Sequence, residues 1–154
     1  MSVNSQNFAI AVAPLKALTA TTGAATTLGT SIDLEAVPAA DEVGFIGVAD
    51  IVGTSALFKV QASSDGTNWY DIPGAASPVL TAAGAYPISI GRSRLQSLIQ
   101  AAGSNTALNA RYVRLAAVTV GSTTVVWGVY SPFKLKQFPV NGYVNGVNYT
   151  LLGD

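Results

Sequence analysis

The chain has 154 residues, 49% of them apolar and 10% charged, with eight basic and eight acidic side chains and a net charge of zero. This is long enough for one domain with a substantial core, too apolar for a disordered protein, and without the net charge that draws nucleic acid or an anionic membrane. Neither cysteine nor histidine occurs, which excludes disulfides, thiolate nucleophiles, Cys/His zinc sites and histidine general bases.

In chain order, the N-terminal "MSVNSQNFAIAVAP" has an apolar run with no basic region before it, a poor match to a signal peptide. Residues 19–31, "TATTGAATTLGTS", are small, Thr-rich and uncharged, and read as a loop or arm leading into a strand at "SIDLEAV". In "EVGFIGVADIVG", Val43, Phe45, Ala49 and Ile51 fall on one alternation and Ile46, Val48 and Val52 on the other. That pattern predicts a strand covered on both sides.

The stretch "LFKVQASSDGTNWYDIP" predicts a β-hairpin. Phe58, Val60 and Ala62 alternate with Lys59, Gln61 and Ser63, an Asp65-Gly66 turn follows, and the chain returns until Pro73 stops the pairing. In "GRSRLQSLIQAAGS", Leu95, Leu98, Ile99 and Ala102 have helical spacing, Ser93 and Gln96 have capping-box spacing, and Gly103 ends the run. The expectation is one short helix near 93–102. Its arginines, Arg92 and Arg94, oppose the helix dipole near the N-terminus, which is mildly unfavourable unless they meet a carboxylate elsewhere.

Beyond the helix, "ARYVRLAAVTV", a turn at "GSTT" and "VVWGVYSPF" predict two more strands, and "KLKQF" a further short one. The apolar stretch from Leu115 to Phe133 reaches membrane-spanning length only by including Gly121 to Thr124, so two strands and a turn describe it better than a transmembrane helix. The last residues, 137–154, repeat Val-Asn-Gly and expose Phe138, Tyr143, Tyr149, Leu151 and Leu152 if they hang free. These five are the candidate assembly or partner contacts. The alternative for the tail is a terminal strand folded onto its own sheet. The expected fold is all-β: an antiparallel sandwich of the jelly-roll kind, with residues 1–136 as one domain and 137–154 as a C-terminal extension or arm.

Chemical constellations are sparse. There is no Gly-x-Ser-x-Gly elbow, no Ser-x-x-Lys, no P-loop and no Gly-x-Gly-x-x-Gly. Carboxylate pairs such as Asp33 with Glu35, or Asp65 with Asp71, have the residue type for glycoside hydrolysis, but a solvated strand face and a turn account for them. "SSDGTN" offers one acidic ligand for calcium, and turn chemistry explains it more simply. Arg111 and Arg114 beside Tyr112 have phosphate-binding chemistry, with salt bridging as the default. Trp69 with Tyr70, and Trp127 with Tyr130, suggest a sugar-stacking surface, yet neighbours in a strand point to opposite faces, so one of each pair belongs to the core. Charge is uneven: residues 1–56 carry one lysine and five acids, residues 57–154 seven basic groups and three acids, a net −4 against +4. This suits pairing within the chain or complementary faces between copies.

The hairpin "FKVQASSDGTNWYDI" followed by "ARYVRLAAVTVGSTTVVWGVY" resembles small β-sandwich structural proteins of tailed bacteriophages. It is also similar to discoidin-type and carbohydrate-binding sandwiches, which share the Ser-x-Asp-Gly-x-x-Trp turn and the Arg-Tyr-Val-Arg strand. The low charge, the Thr/Ala/Gly-rich arms and the polar-aromatic tail favour the capsid decoration, or cement, proteins. That resemblance implies a virion protein on the outer capsid surface, a homotrimer clamping major capsid subunits. It implies no catalytic residues and no cofactor, metal, nucleic-acid or membrane partner. The alternatives are a phage tail or baseplate component and a glycan-binding module.

Overall fold

The computed structural model describes residues 15–36 and 42–131 and three short C-terminal strands at 143–144, 147–148 and 150–152. Sheet A has the order β1 (Leu15–Thr22), β9 (Val125–Ser131), β4 (Glu42–Ile51), β7 (Gly84–Gly91), β12 (Thr150–Leu152). Sheet B has the order β2 (Ala25–Leu28), β8 (Tyr112–Val120), β5 (Ser55–Ser63), β6 (Tyr70–Ala76), with β3 (Ile32–Asp33) on the same β8 strand as β2. A two-stranded ribbon, β10 (Tyr143–Val144) with β11 (Val147–Asn148), and helix α1 (Arg92–Gly103) complete the described elements. Every pairing is antiparallel except β12 on β7.

Counting β2 and β3 as one interrupted strand, β1 to β9 form an eight-stranded series. In it the first strand pairs with the last, the second with the seventh, the third with the sixth and the fourth with the fifth. This nested pairing is the jelly roll. The core lies between the sheets. Val43, Phe45, Ile88, Ile90 and Tyr130 come from sheet A, and Phe58, Val60, Val113 and Leu115 from sheet B, all essentially inaccessible to solvent. Phe45 and Tyr130 pack ring on ring at 5.2 Å. Gly47 and Gly128 face each other across β4 and β9, and a β-carbon at either would run into Phe58 or Leu115 of the opposite sheet. The two glycines thus open a pit that receives those side chains, the interdigitation that a sandwich core requires.

Several sequence expectations change in detail. The Thr-rich stretch expected as an arm is mostly ordered strand: β1 ends at Thr22, Gly23 turns the corner at φ 111°, and β2 begins at Ala25 in the other sheet. "SIDLEAV" yields only the two residues of β3, because the Asp33 carboxylate accepts the Glu35 N–H and Ala36 N–H donates back to the Asp33 carbonyl, closing a turn. Only one face of β4 is in the core: Val43, Phe45 and Ala49 are buried, and Ile46 and Val48 half-buried. A bulge between Ala49 and Ile51 leaves Ile51 52% exposed.

Pro73 does not end β6. A bulge at Pro73–Gly74, with Gly74 at φ 77°, moves the register from Gln61↔Asp71 to Lys59↔Ala76 and the strand resumes. The turn at 121–124 joins β8 to β9 as expected, but it crosses from one sheet to the other. The helix forms over Arg92–Gly103 without the Ser93–Gln96 capping box. Its N-cap is Gly91, and Gln96 instead bonds the Leu108 carbonyl and the Ala110 N–H, fixing the loop after the helix. The "KLKQF" strand and the N-terminal fourteen residues lie outside the described residues.

Candidate interaction surface

Each polar group that invited a chemical reading has a structural partner. In the hairpin turn the Asp65 carboxylate accepts the N–H groups of Thr67 and Asn68, both at 2.8 Å, the Asn68 amide at 2.7 Å and the Ser63 hydroxyl at 3.0 Å. The Asn68 and Thr67 N–H groups hold its pKa far below the usual aspartate range. Gly66 takes φ 74° and its carbonyl accepts the Trp69 indole N–H. These donors occupy the oxygens that a calcium ion needs, and among the described residues no cluster of three or more metal-binding side chains occurs.

Arg111 pairs with Asp33 at 2.9 Å and Glu35 at 3.5 Å, tying the acidic first part of the chain to the basic second. The guanidinium, together with the Glu35 N–H, lowers the Asp33 pKa. On the outer face of sheet B, Lys59 pairs with Asp71 at 2.7 Å, Gln61 donates to Asp71 and accepts from Arg114, and Arg114 stacks 4.0 Å from the Trp69 ring centre. Partial burial pushes the Asp71 pKa up, but Lys59 and Gln61 hold it below the usual value. Neither arginine is presented as an open phosphate site.

The aromatic pairs divide as their alternation requires. Tyr130 is buried and Tyr70 packs against the core. Trp69 lies over the outer face of sheet B, whereas Trp127 sits on the outer face of sheet A with its indole N–H on Asp50 at 2.9 Å. The two indoles are therefore on opposite sides of the sandwich, and one face of Trp69 is taken by Arg114.

What remains is apolar surface. Leu28 and Val120 are 52% and 48% exposed; half-buried Val118 lies between their levels on β8, and half-buried Leu57 sits opposite Val118 on β5. Sequence reading missed this strip. Its signal was present in the alternation, since Leu57, Val118 and Val120 occupy the outward positions that Lys59, Gln61 and Arg114 hold further along the same strands. On sheet A, Ile46, Val48, Val125, Trp127 and Val129 are half-buried outward residues.

The five residues singled out in the tail are not brought into one described patch. Leu151 and Leu152 lie in β12, at register with Ser89 and Ile90 of β7, Tyr143 begins the β10–β11 ribbon, and Phe138 and Tyr149 lie outside the described residues. Residues 150–152 thus form a terminal strand on the chain's own sheet. β12 spans only Ile88–Ile90, a slot between Pro87, which has no N–H to offer, and Gly91, where α1 begins. Ser93, Arg94, Ser97 and Leu98 line a shallow cleft on α1. No described helix is long and apolar enough to cross a membrane. Comparisons with protein-family models, curated proteins and solved structures return no match for the chain.

Proposed function

We propose that this chain is a non-enzymatic virion structural protein that binds the outside of a phage capsid and holds neighbouring major capsid subunits together, acting as a homo-oligomer with a trimer as its expected form. The observation that carries the reading is the outer face of sheet B. Leu28, Leu57, Val118 and Val120 form an apolar strip there, bordered by a network whose charges are already paired with one another. Such a surface suits broad contact with another protein better than small-ligand chemistry. The jelly roll is consistent with this role and does not by itself assign it, because viral shells, lectins and cupins share the architecture. A protein of this kind stabilises a shell to the extent that it binds the assembled lattice more tightly than the separate subunits.

The test is co-sedimentation of the purified chain with shells assembled from the major capsid protein of the same virus, alongside unassembled subunits. Saturable binding to shells alone, with a rise in shell melting temperature, is the expected result. Binding to purified tails or to glycans, with none to shells, would replace this reading by the baseplate or the lectin-like one.

A further inference from the structure

We infer that the end of the sandwich formed by the connections at 23–24, 52–54, 77–83 and 121–124 is the surface through which copies of this chain meet one another. The inference deepens the homo-oligomer part of the proposed function and rests on it.

Register puts these four connections, each crossing from one sheet to the other, at one end of the molecule. In sheet A, Thr22 of β1 and Ile51 of β4 both lie opposite Val125 of β9, and Ala49 lies opposite Gly84, the first residue of β7. In sheet B, Ser55 of β5 lies opposite Val120, the last residue of β8, Ala25 of β2 opposite Thr119, and Leu80 opposite Ala56. Hydrogen bonds tie the connections together. The Thr124 hydroxyl accepts the Gly53 N–H at 3.0 Å and donates to the Val120 carbonyl at 2.8 Å, while the Gly23 N–H donates to the Thr124 carbonyl and the Gly23 carbonyl accepts the Thr119 hydroxyl. Loops already fixed in this way lose little freedom when a partner covers them.

The surface at this end is apolar and uncharged. Ile51, Val79 and Val120 are 52%, 62% and 48% exposed, three of the four large apolar side chains exposed among the described residues. The four connections contain no Asp, Glu, Lys or Arg, and the nearest charge to them in sequence, Asp50, accepts the Trp127 indole N–H. Asp33, Glu35, Asp65, Arg92, Arg94 and Arg111 lie toward the opposite end, where β3 meets the start of β8, the β5–β6 hairpin turns and α1 begins. The described charges are thus gathered away from the apolar end.

That charge pattern selects the occupant. When identical copies assemble about a rotation axis, side chains near the axis face their own images, so a charge placed there meets its like. A charge-free end escapes that repulsion, and covering Ile51, Val79 and Val120 removes apolar area from water. A membrane fits less well, because these connections hold neither Lys or Arg for lipid headgroups nor Trp, Tyr or Phe for the interface. A capsid subunit, as a different protein, is better matched by sheet B, where charged residues border the apolar strip.

Light scattering of the full chain over a range of concentrations tests the surface. Two double variants are compared with the parent, Ile51→Asp with Val79→Asp and Ile51→Lys with Val79→Lys, each of which brings like charges together if this end meets its own image. Each should raise the dissociation constant of the oligomer by about a hundredfold or more. An equimolar mixture of the two should associate more tightly than either alone, because opposite charges then meet, and that recovery also shows that both variants fold. Variants that keep the parent's dissociation constant overturn the inference and leave the homo-oligomer reading standing, with the copies meeting elsewhere. Association lost in both variants and not regained on mixing overturns it as well. A parent that is monomeric at every concentration overturns both.

Discussion

Gly47 lies opposite the Phe58 ring at a point where any β-carbon would collide with it. Gly47→Ala is therefore expected to cost about 1–3 kcal/mol, the usual range for overpacking a tight core. Adding Phe58→Leu should recover part of that loss, since the smaller side chain vacates the pit. Urea denaturation of the two single variants and the double variant reads the coupling directly. Asp65 makes a different kind of contribution. Its carboxyl is held below the usual 3.8 by backbone N–H groups that it accepts only in the folded turn. A group depressed in this way stabilises the fold above its unfolded pKa and loses that contribution as pH falls through the folded value. Asp65→Asn should accordingly be less stable than the parent at neutral pH, with the gap narrowing as pH falls below 3.8. Urea midpoints across that range check the sign.

Among the elements, the hairpin and the helix were legible because local chemistry decides them. Asp65-Gly66 encodes a turn whatever the rest of the chain does, and Leu95 and Ile99 are buried as their spacing predicts. The errors fall where neighbours decide. Whether the Thr-rich residues after Leu15 form strand depends on Val125–Tyr130, far along the chain, being there to pair with them. Pro73 reads as a stop, but a bulge with Gly74 at positive φ lets the strand continue. The candidate site was only half legible for a similar reason. The tail's apolar residues stand out in the sequence, whereas Leu28 joins the outward face of Val118 and Val120 only when β2 and β8 pair, with Leu28 opposite Ala116 and Thr26 opposite Val118. Removing β12 by ending the chain at Lys136 leaves the Ile88–Ile90 edge of β7 without its described partner. The shortened chain should exchange those amides faster and associate through the opened edge, visible as a larger mass by light scattering.

For the molecule as a whole, the two sheets present different outsides. Sheet B carries both the apolar strip and the Lys59–Asp71–Gln61–Arg114 network, so it is the face expected to meet a capsid. Leu28→Lys combined with Val120→Lys should lower shell binding by about tenfold or more if the strip lies at the centre of the contact. Stability should change by about 0.5 kcal/mol or less, because both residues are half exposed. Shell co-sedimentation and urea denaturation of one preparation separate the two effects.

The nested strand pairing also has a consequence for synthesis. Leu15 and Thr22 of β1 find their partners in Tyr130 and Val125 of β9, which sits between β1 and β4 in sheet A. During translation β1 emerges early and must wait, unpaired, while most of the described chain is made. Such delayed, non-local pairing slows folding and leaves the waiting strand open to aggregation. The composition of the stretch from Ala17 to Thr30, "ALTATTGAATTLGT", fits that exposure: it is rich in threonine, alanine and glycine, has leucine as its only large apolar residue, and offers little for other nascent chains to adhere to.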